Sequence, residues 1–320
     1  MTKYPLVLLP TPQHRLNNLS EFLGIDLWIK RDDLTGFAGG GNKGRKLEYL
    51  MAEALMTGAT AVVSCGADQS NFVRQLGAAC AVAGLKCSVV TMRSPYETLD
   101  RQVVGVLSQG GNIDLDHWFG IDRRRVGDGT WSDLESAADE RQRELEHQGE
   151  VVFRIPLGGS SPISVHAFVE AGQEIEGNFD WVITSSSSGS TQVGLAHHFA
   201  EAPTRVLGIS ADPEPEIVDD LLDLSARYAD WAGVRALTAD QIQFNLEFVG
   251  AGYGVGSSSS DRGIGMMARA EGILLDPIYS GKAFGGLVDL VHRGDVRGRV
   301  LFWHTGGTPA LFARSESPGG

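Results

Sequence analysis

The sequence predicts an α/β protein of two domains, each a twisted, mainly parallel sheet flanked by helices. Short β-branched runs alternate with longer amphipathic ones, and the loops that follow those runs are rich in Gly, Ser and Asn. A chain of 320 residues also exceeds what one hydrophobic core usually fills. Segments 59–64, 86–91, 151–155, 181–185, 205–211 and 299–303 read as strands buried on both faces. Segments 44–57, 70–84, 97–109, 131–149, 164–176, 190–201 and 281–293 read as helices. Residues 47–162 are expected to form the smaller domain, and residues 1–46 with 163–320 the larger, cofactor-binding one.

Composition narrows the function. A formal charge of −13, without long like-charge runs, argues against nucleic acid and against an anionic membrane surface. No apolar stretch reaches the ~20 residues of a membrane span, and the N-terminus carries no leader pattern, so a cytoplasmic location is expected. Cys65, Cys80 and Cys87 are odd in number and lack zinc-like spacing, which suggests buried reduced thiols. Arg123, Arg124 and Arg125 read as a solvated face, and His197-His198, lacking a third ligand at metal spacing, as packing residues; no metal is expected.

In open parallel sheets ligands collect at the carboxyl ends of strands. Four segments there carry chemistry. Gly39-Gly40-Gly41-Asn42-Lys43 sets an amine between a glycine loop and a helix, although a capped helix start with a solvated lysine would look the same. Ser70 and Asn71 begin a helix whose exposed amides suit an anion. Ser186 to Thr191 combine small residues with hydroxyls, as a phosphate cradle requires. Hydroxyls recur in Asp276-Pro277-Ile278-Tyr279-Ser280 and His304-Thr305-Gly306-Gly307. A phosphate loop, a lysine and hydroxyl-rich strand ends together suggest a phosphorylated aldehyde held as a Schiff base.

These blocks, in this order, resemble the pyridoxal-phosphate enzymes of the 1-aminocyclopropane-1-carboxylate deaminase and D-cysteine desulfhydrase family, with the tryptophan synthase β-subunit-like fold (fold type II). The likeness runs through Pro10-Thr11-Pro12, Ile29 to Asp33, Gly40 to Glu48, Gln69-Ser70-Asn71, Gly189 to Gln192, Leu275 to Tyr279 and His304 to Gly307. The resemblance implies pyridoxal 5'-phosphate, a small amino-acid substrate and a homodimer. It makes Lys43 the Schiff-base lysine and the base that moves the α-proton, and Asn71 the partner of the cofactor's phenolic oxygen. Ser70 would lie near the substrate carboxylate or assist proton transfer, Ser188, Gly189, Ser190 and Thr191 would hold the phosphate, and Tyr279 would face the substrate. Ser280 and Thr305 would meet the pyridine edge. Lys46 falls outside the Schiff-base position and is expected to be structural.

Ser280 discriminates between activities, since the deaminase branch resembles this segment with a glutamate there and a leucine at Thr305. A carboxylate keeps the pyridine nitrogen protonated and makes the ring a deep electron sink, which opening a cyclopropane needs. Hydroxyls suit loss of a β-substituent instead, so a D-cysteine desulfhydrase is the expected activity. The alternatives are an L-cysteate sulfo-lyase, a 1-aminocyclopropane-1-carboxylate deaminase and a cofactor-binding protein without turnover. A dinucleotide-dependent oxidoreductase is disfavoured, because no G-x-G-x-x-G follows the first strand. Phe72, where relatives carry histidine or glutamine, and the 250–260 loop, with Tyr253 able to reach the substrate, depart from the family pattern.

Overall fold

The computed structural model describes residues 1–93 and 106–315. The chain opens with β1 (Gln13–Arg15), α1 (Asn17–Leu23) and β2 (Asp26–Arg31), and α2 (Lys43–Met56) carries it to a second sheet. There β3 (Ala61–Ala67), α3 (Asn71–Ala83), β4 (Lys86–Met92), β5 (Leu107–Gly110), α4 (Asn112–Trp118), β6 (Asp122–Arg125), α5 (Trp131–His147) and β7 (Val152–Arg154) follow. The chain returns through α6 (Pro162–Gly172), β8 (Trp181–Ser186), α7 (Ser190–His198), β9 (Arg205–Ser210), α8 (Ile217–Ala232) and β10 (Gln243–Asn245). It ends with α9 (Ser258–Glu271), α10 (Ser280–Arg293), β11 (Arg299–His304) and β12 (Ala313–Ser315).

The larger sheet has the order β1-β2-β11-β8-β9-β10 and is parallel except where β1 meets β2. The smaller, β6-β4-β3-β7, is parallel throughout, and its strands all lie between residues 61 and 154. β5 and β12 form a separate antiparallel pair.

β3 shows why the smaller sheet forms. All seven residues of Ala61–Ala67 are buried. Val62 faces one core with Leu47, Leu50, Phe72 and Leu76, whereas Ala61, Val63 and Cys65 face another with Leu134 and Ala138. The period of two thus sends alternate residues into helices on both faces. Each fully buried Val or Leu contributes about 1.5–3 kcal/mol. Helix ends obey their sequence signals: Gly84 terminates α3 in the left-handed region (φ 70), and Thr130 with Asp133 forms a capping box on α5.

All six expected strands are present, with β3 running on to Ala67. The expected helix over 97–109 is corrected at its end: residues 107–109 belong to β5, because β12 from the far end of the chain pairs with them, and residues 97–105 lie outside the described residues. The arginine triplet leaves Arg124 and Arg125 exposed, as a solvated face would, but it also forms β6, where Arg123 and Arg125 pair with Asp68, itself buried. β2 escaped the sequence reading because its charge is internal: Lys30 is buried against Glu174 at 2.9 Å. α1, α4, α8 and α9 were not anticipated either. Cys65, Cys80 and Cys87 are buried and unpaired. Among the described residues no helix is long and apolar enough to cross a membrane.

Candidate active site

The carboxyl ends of β3, β8 and β11 converge on a cleft. The structure brings Lys43, Ser70, Asn71, Phe72, Ser188, Gly189, Ser190, Thr191, Tyr253, Tyr279 and Thr305 to its walls. Ser280, alone of the site residues expected from sequence, is not among them.

Lys43 is the first residue of α2 and follows three glycines with φ of 80, 79 and 120. A Cβ on Gly40 would overlap the Asp33 backbone, so the approach requires glycine. Asn42 occupies the N-cap position but makes no capping bond; its Nδ2 donates to Thr191 Oγ1 at 2.9 Å. Burial lowers the Lys43 amine to about 8, against the opposing charge of Asp276. Such an amine is partly neutral, and hence nucleophilic, near neutral pH.

One turn on, Lys46 is fully buried and donates to Ser190 Oγ at 2.8 Å, with its Nζ 5.8 Å from the centre of the Phe72 ring. Burial first, and then the Lys43 charge, push its pKa well below the ordinary value. Phe72 therefore packs on a lysine as well as lining the cleft.

Gly189 (φ 87) turns the chain into α7, and a Cβ there would strike Leu221. The first-turn amides of α7 have no acceptor within the helix, and the Ser186 hydroxyl is buried without a partner. Ser160 Oγ donates to Ser188 O, tying this loop to the turn after Gly158. Opposite, Ser70 caps α3 by accepting from Val73 N at 3.3 Å.

Tyr253 and Tyr279 hydrogen-bond each other through their hydroxyls, and Trp131 stands edge-on to Tyr253 at 5.7 Å. Burial raises both phenols above their ordinary range, so both carry their protons at neutral pH. Lys282 donates to Gly252 O at 2.8 Å and steadies the Tyr253 loop.

Thr305 Oγ1 lies 2.8 Å from Ser185 Oγ, and both line the cleft. Ser280 lies outside that lining. Its Oγ donates to Asp276 Oδ1 at 2.6 Å, and the same carboxylate accepts from the amides of Ile278, Tyr279 and Ser280. His304 is likewise withdrawn: Nε2 contacts Leu274 O at 3.0 Å and Nδ1 accepts from Gly306 N at 3.3 Å. His197 bonds Ser225 at 2.9 Å and packs on Tyr228. Among the described residues no cluster of three His, Cys, Asp or Glu could hold a metal.

Sequence reasoning missed Ser185, Trp131 and the reach of Asn42 and Lys46. A serine at the end of β8 was visible, but its pairing with Thr305 spans 120 residues.

A family model described as pyridoxal-phosphate dependent enzyme matches residues 5–306. A protein of Methylobacterium nodulans named 1-aminocyclopropane-1-carboxylate deaminase is 36% identical, covering 97% of this chain and 95% of its own. One of the same name from Burkholderia ambifaria is also 36% identical, over 98% and 97%. A crystal structure described as an ACC deaminase homologue superposes with a TM-score of 0.87 at 34% identity, covering 98% of this chain and 94% of that one. A hydrogen sulfide-producing enzyme from Fusobacterium nucleatum, with a TM-score of 0.64 at 18% identity and coverage of 93% and 96%, shares the fold.

Proposed function

The chain belongs to the pyridoxal-phosphate dependent enzymes, and on that footing we propose that it is a carbon–sulfur lyase that converts D-cysteine and water into pyruvate, ammonia and hydrogen sulfide. The residues fit the cofactor. Lys46 is a fully buried amine with no carboxylate at ion-pair distance among the described residues; it donates to Ser190 at the start of α7, and in the same loop the Ser186 hydroxyl is buried without a partner. A phosphate dianion satisfies all three. Ser188, Gly189, Ser190, Thr191 and Lys46 would hold it, with Asn42 bracing Thr191.

Bound pyridoxal phosphate supplies an electron sink for the bonds at the substrate's Cα. Lys43 would anchor it covalently and move the proton at Cα, the amine's lowered pKa leaving it able to accept one. Ser70 and the first-turn amides of α3 would bind the substrate carboxylate. The Tyr279 phenol, protonated and bonded to Tyr253, would give a proton to the departing sulfur.

One observation carries the choice of reaction: the described lining of the cleft contains no carboxylate. The hydroxyls of Ser185 and Thr305 would meet the pyridine edge, where Ser280 with Thr305 was expected, and neutral partners of this kind favour β-elimination over ring opening. Ser280 would act at one remove, by retaining the Asp276 carboxylate. Lys43 is the one charged side chain in that lining, which suits a thiol better than the sulfonate of cysteate.

The names of the relatives favour a second reading, 1-aminocyclopropane-1-carboxylate deamination. Pyruvate formation from D- and L-cysteine, L-cysteate, β-chloroalanine and D-serine, beside 2-oxobutyrate formation from aminocyclopropane carboxylate, decides between them. Robust 2-oxobutyrate release with no elimination from any of the others would overturn the proposal, and cofactor binding with no turnover would leave a binding protein. The family resemblance implies a homodimer, and light scattering of the purified protein tests that stoichiometry.

A further inference from the structure

Asn71 lines the cleft at the start of α3, and its side-chain oxygen is held from behind by two donors. Arg74 Nη1 donates to Asn71 Oδ1 at 2.9 Å, and Asn112 Nδ2 donates to the same oxygen at 3.1 Å. Arg74 is fully buried and is itself fixed by Gly40 O at 2.8 Å and by Asn112 Oδ1. Asn112 is fixed in turn by Gln69, whose Oε1 accepts from Asn112 N and whose backbone oxygen accepts from Asn112 Nδ2, both at 2.9 Å.

A guanidinium has donors and no acceptor, so the atom of Asn71 that meets it must be the oxygen. The amide cannot turn over without setting N–H against N–H. We propose that Arg74 and Asn112 are positioning residues that lock Asn71 with its NH2 group toward the cleft, so that it offers only donors to the phenolic oxygen of pyridoxal phosphate. This rests on the cofactor reading above. The guanidinium also polarises the amide it grips, strengthening the N–H bonds on the other side. Asp116 and Asp276 act on Arg74 from beyond ion-pair distance, and burial, the larger influence, lowers it to about 10, so it stays charged at neutral pH.

The test is a double-mutant cycle on the full chain, stripped of cofactor and titrated with pyridoxal phosphate, reading the dissociation constant and the visible absorption band. Arg74→Met is expected to weaken binding about tenfold and to shift the band. In an Asn71→Ala background the same change should alter the constant by less than about twofold, since the group it acts through is gone. Arg74→Lys, which keeps a donor and the charge, should recover most of the affinity. Asn112→Ala removes the second lock with Arg74 intact and gives the same cycle if Arg74→Met does not fold. Equal losses in both backgrounds, or none in either single variant, would overturn the positioning role. A wild-type protein with no visible band would defeat the cofactor reading itself, whereas a wild-type band with additive losses defeats the role of Arg74 alone.

Discussion

Adjacent positions on α2 carry two kinds of buried cation. Arg45 meets carboxylates on every side: Asp32 Oδ1 at 2.8 Å and Glu174 Oε1 at 2.6 Å, with Lys30 joining Glu174 at 2.9 Å and Trp303 donating to Asp32 at 2.9 Å. Lys43 and Lys46, one turn apart and so on a shared face, meet none at that distance among the described residues. Helical geometry separates the two sets, and their surroundings then treat the charge oppositely. The paired set is complete within the protein and joins the N-terminal segment to α6 and β11. In the other set the lysines have lowered pKa values, which leaves one of them nucleophilic, while a dianion set against the other would favour its charged form. A buried cation by itself thus says little; the presence or absence of its carboxylate separates architecture from chemistry.

The largest effect expected from this contrast is at Lys43. Lys43→Ala should lower turnover at least about a thousandfold, and borohydride reduction followed by peptide mapping should find the cofactor on Lys43. Label on Lys46 or Lys282 would break the assignment. Because its amine sits at about 8, covalent capture of pyridoxal phosphate by cofactor-free protein should speed up as pH rises through that value and level off above it.

A crossed pair of variants sharpens the comparison. Arg45→Met leaves the buried Asp32 without its cation and Glu174 with Lys30 alone, and should cost about 3–5 kcal/mol in urea unfolding, with cofactor affinity nearly unchanged. Lys46→Met removes a buried amine whose charged form burial disfavours, so the cofactor-free protein should be as stable or more so. Its affinity for pyridoxal phosphate should fall about 10- to 100-fold, the worth of a charge-assisted bond. If both variants changed the same property in the same direction, the two sets would not differ in kind.

Acid titration probes the paired set more gently. Burial raises the Glu174 pKa, but the hydrogen bond and charge of Arg45, and then those of Lys30, outweigh it and hold the carboxyl at about 2, against 4.5 ordinarily. A folded pKa below the unfolded one means that the stabilisation is complete above about 4.5 and is lost as pH falls toward 2. The loss should amount to about 3 kcal/mol, and Glu174→Gln should flatten that part of the stability profile. The smallest expected effect is at Ser280. Ser280→Ala removes two hydrogen bonds to Asp276, one donated to the carboxylate and one accepted from the backbone N–H, and should cost about 1–2 kcal/mol, with elimination preserved. A change of reaction in that variant would return Ser280 to the pyridine edge.

Much of the cleft was legible in the chain, because its signals are local. Glycines before Lys43, small residues before α7 and a serine capping α3 each announce a close approach or an exposed helix end within a few residues. The six expected strands were legible for the same reason, since alternation such as that of Ala61 to Cys65 is a property of one segment. β2 and β6 were hidden by charges whose partners lie elsewhere, Lys30 with Glu174 and Arg123 with Asp68. Residues 107–109 were misjudged because a strand more than 200 positions later decides their state.

The sequence by itself determined the alternation of strands and helices, the glycine turn that delivers Lys43 and the hydroxyl-rich ends of β8 and β11. All of these follow from backbone preferences and period, which act between near neighbours. Which hydroxyls face one another, which cation finds a carboxylate and which way the Asn71 amide points were decided only when the chain closed. Those are pairwise questions with partners as distant as Asp32 and Trp303, 271 positions apart. The desolvation that gives each answer its energy exists only in the folded interior.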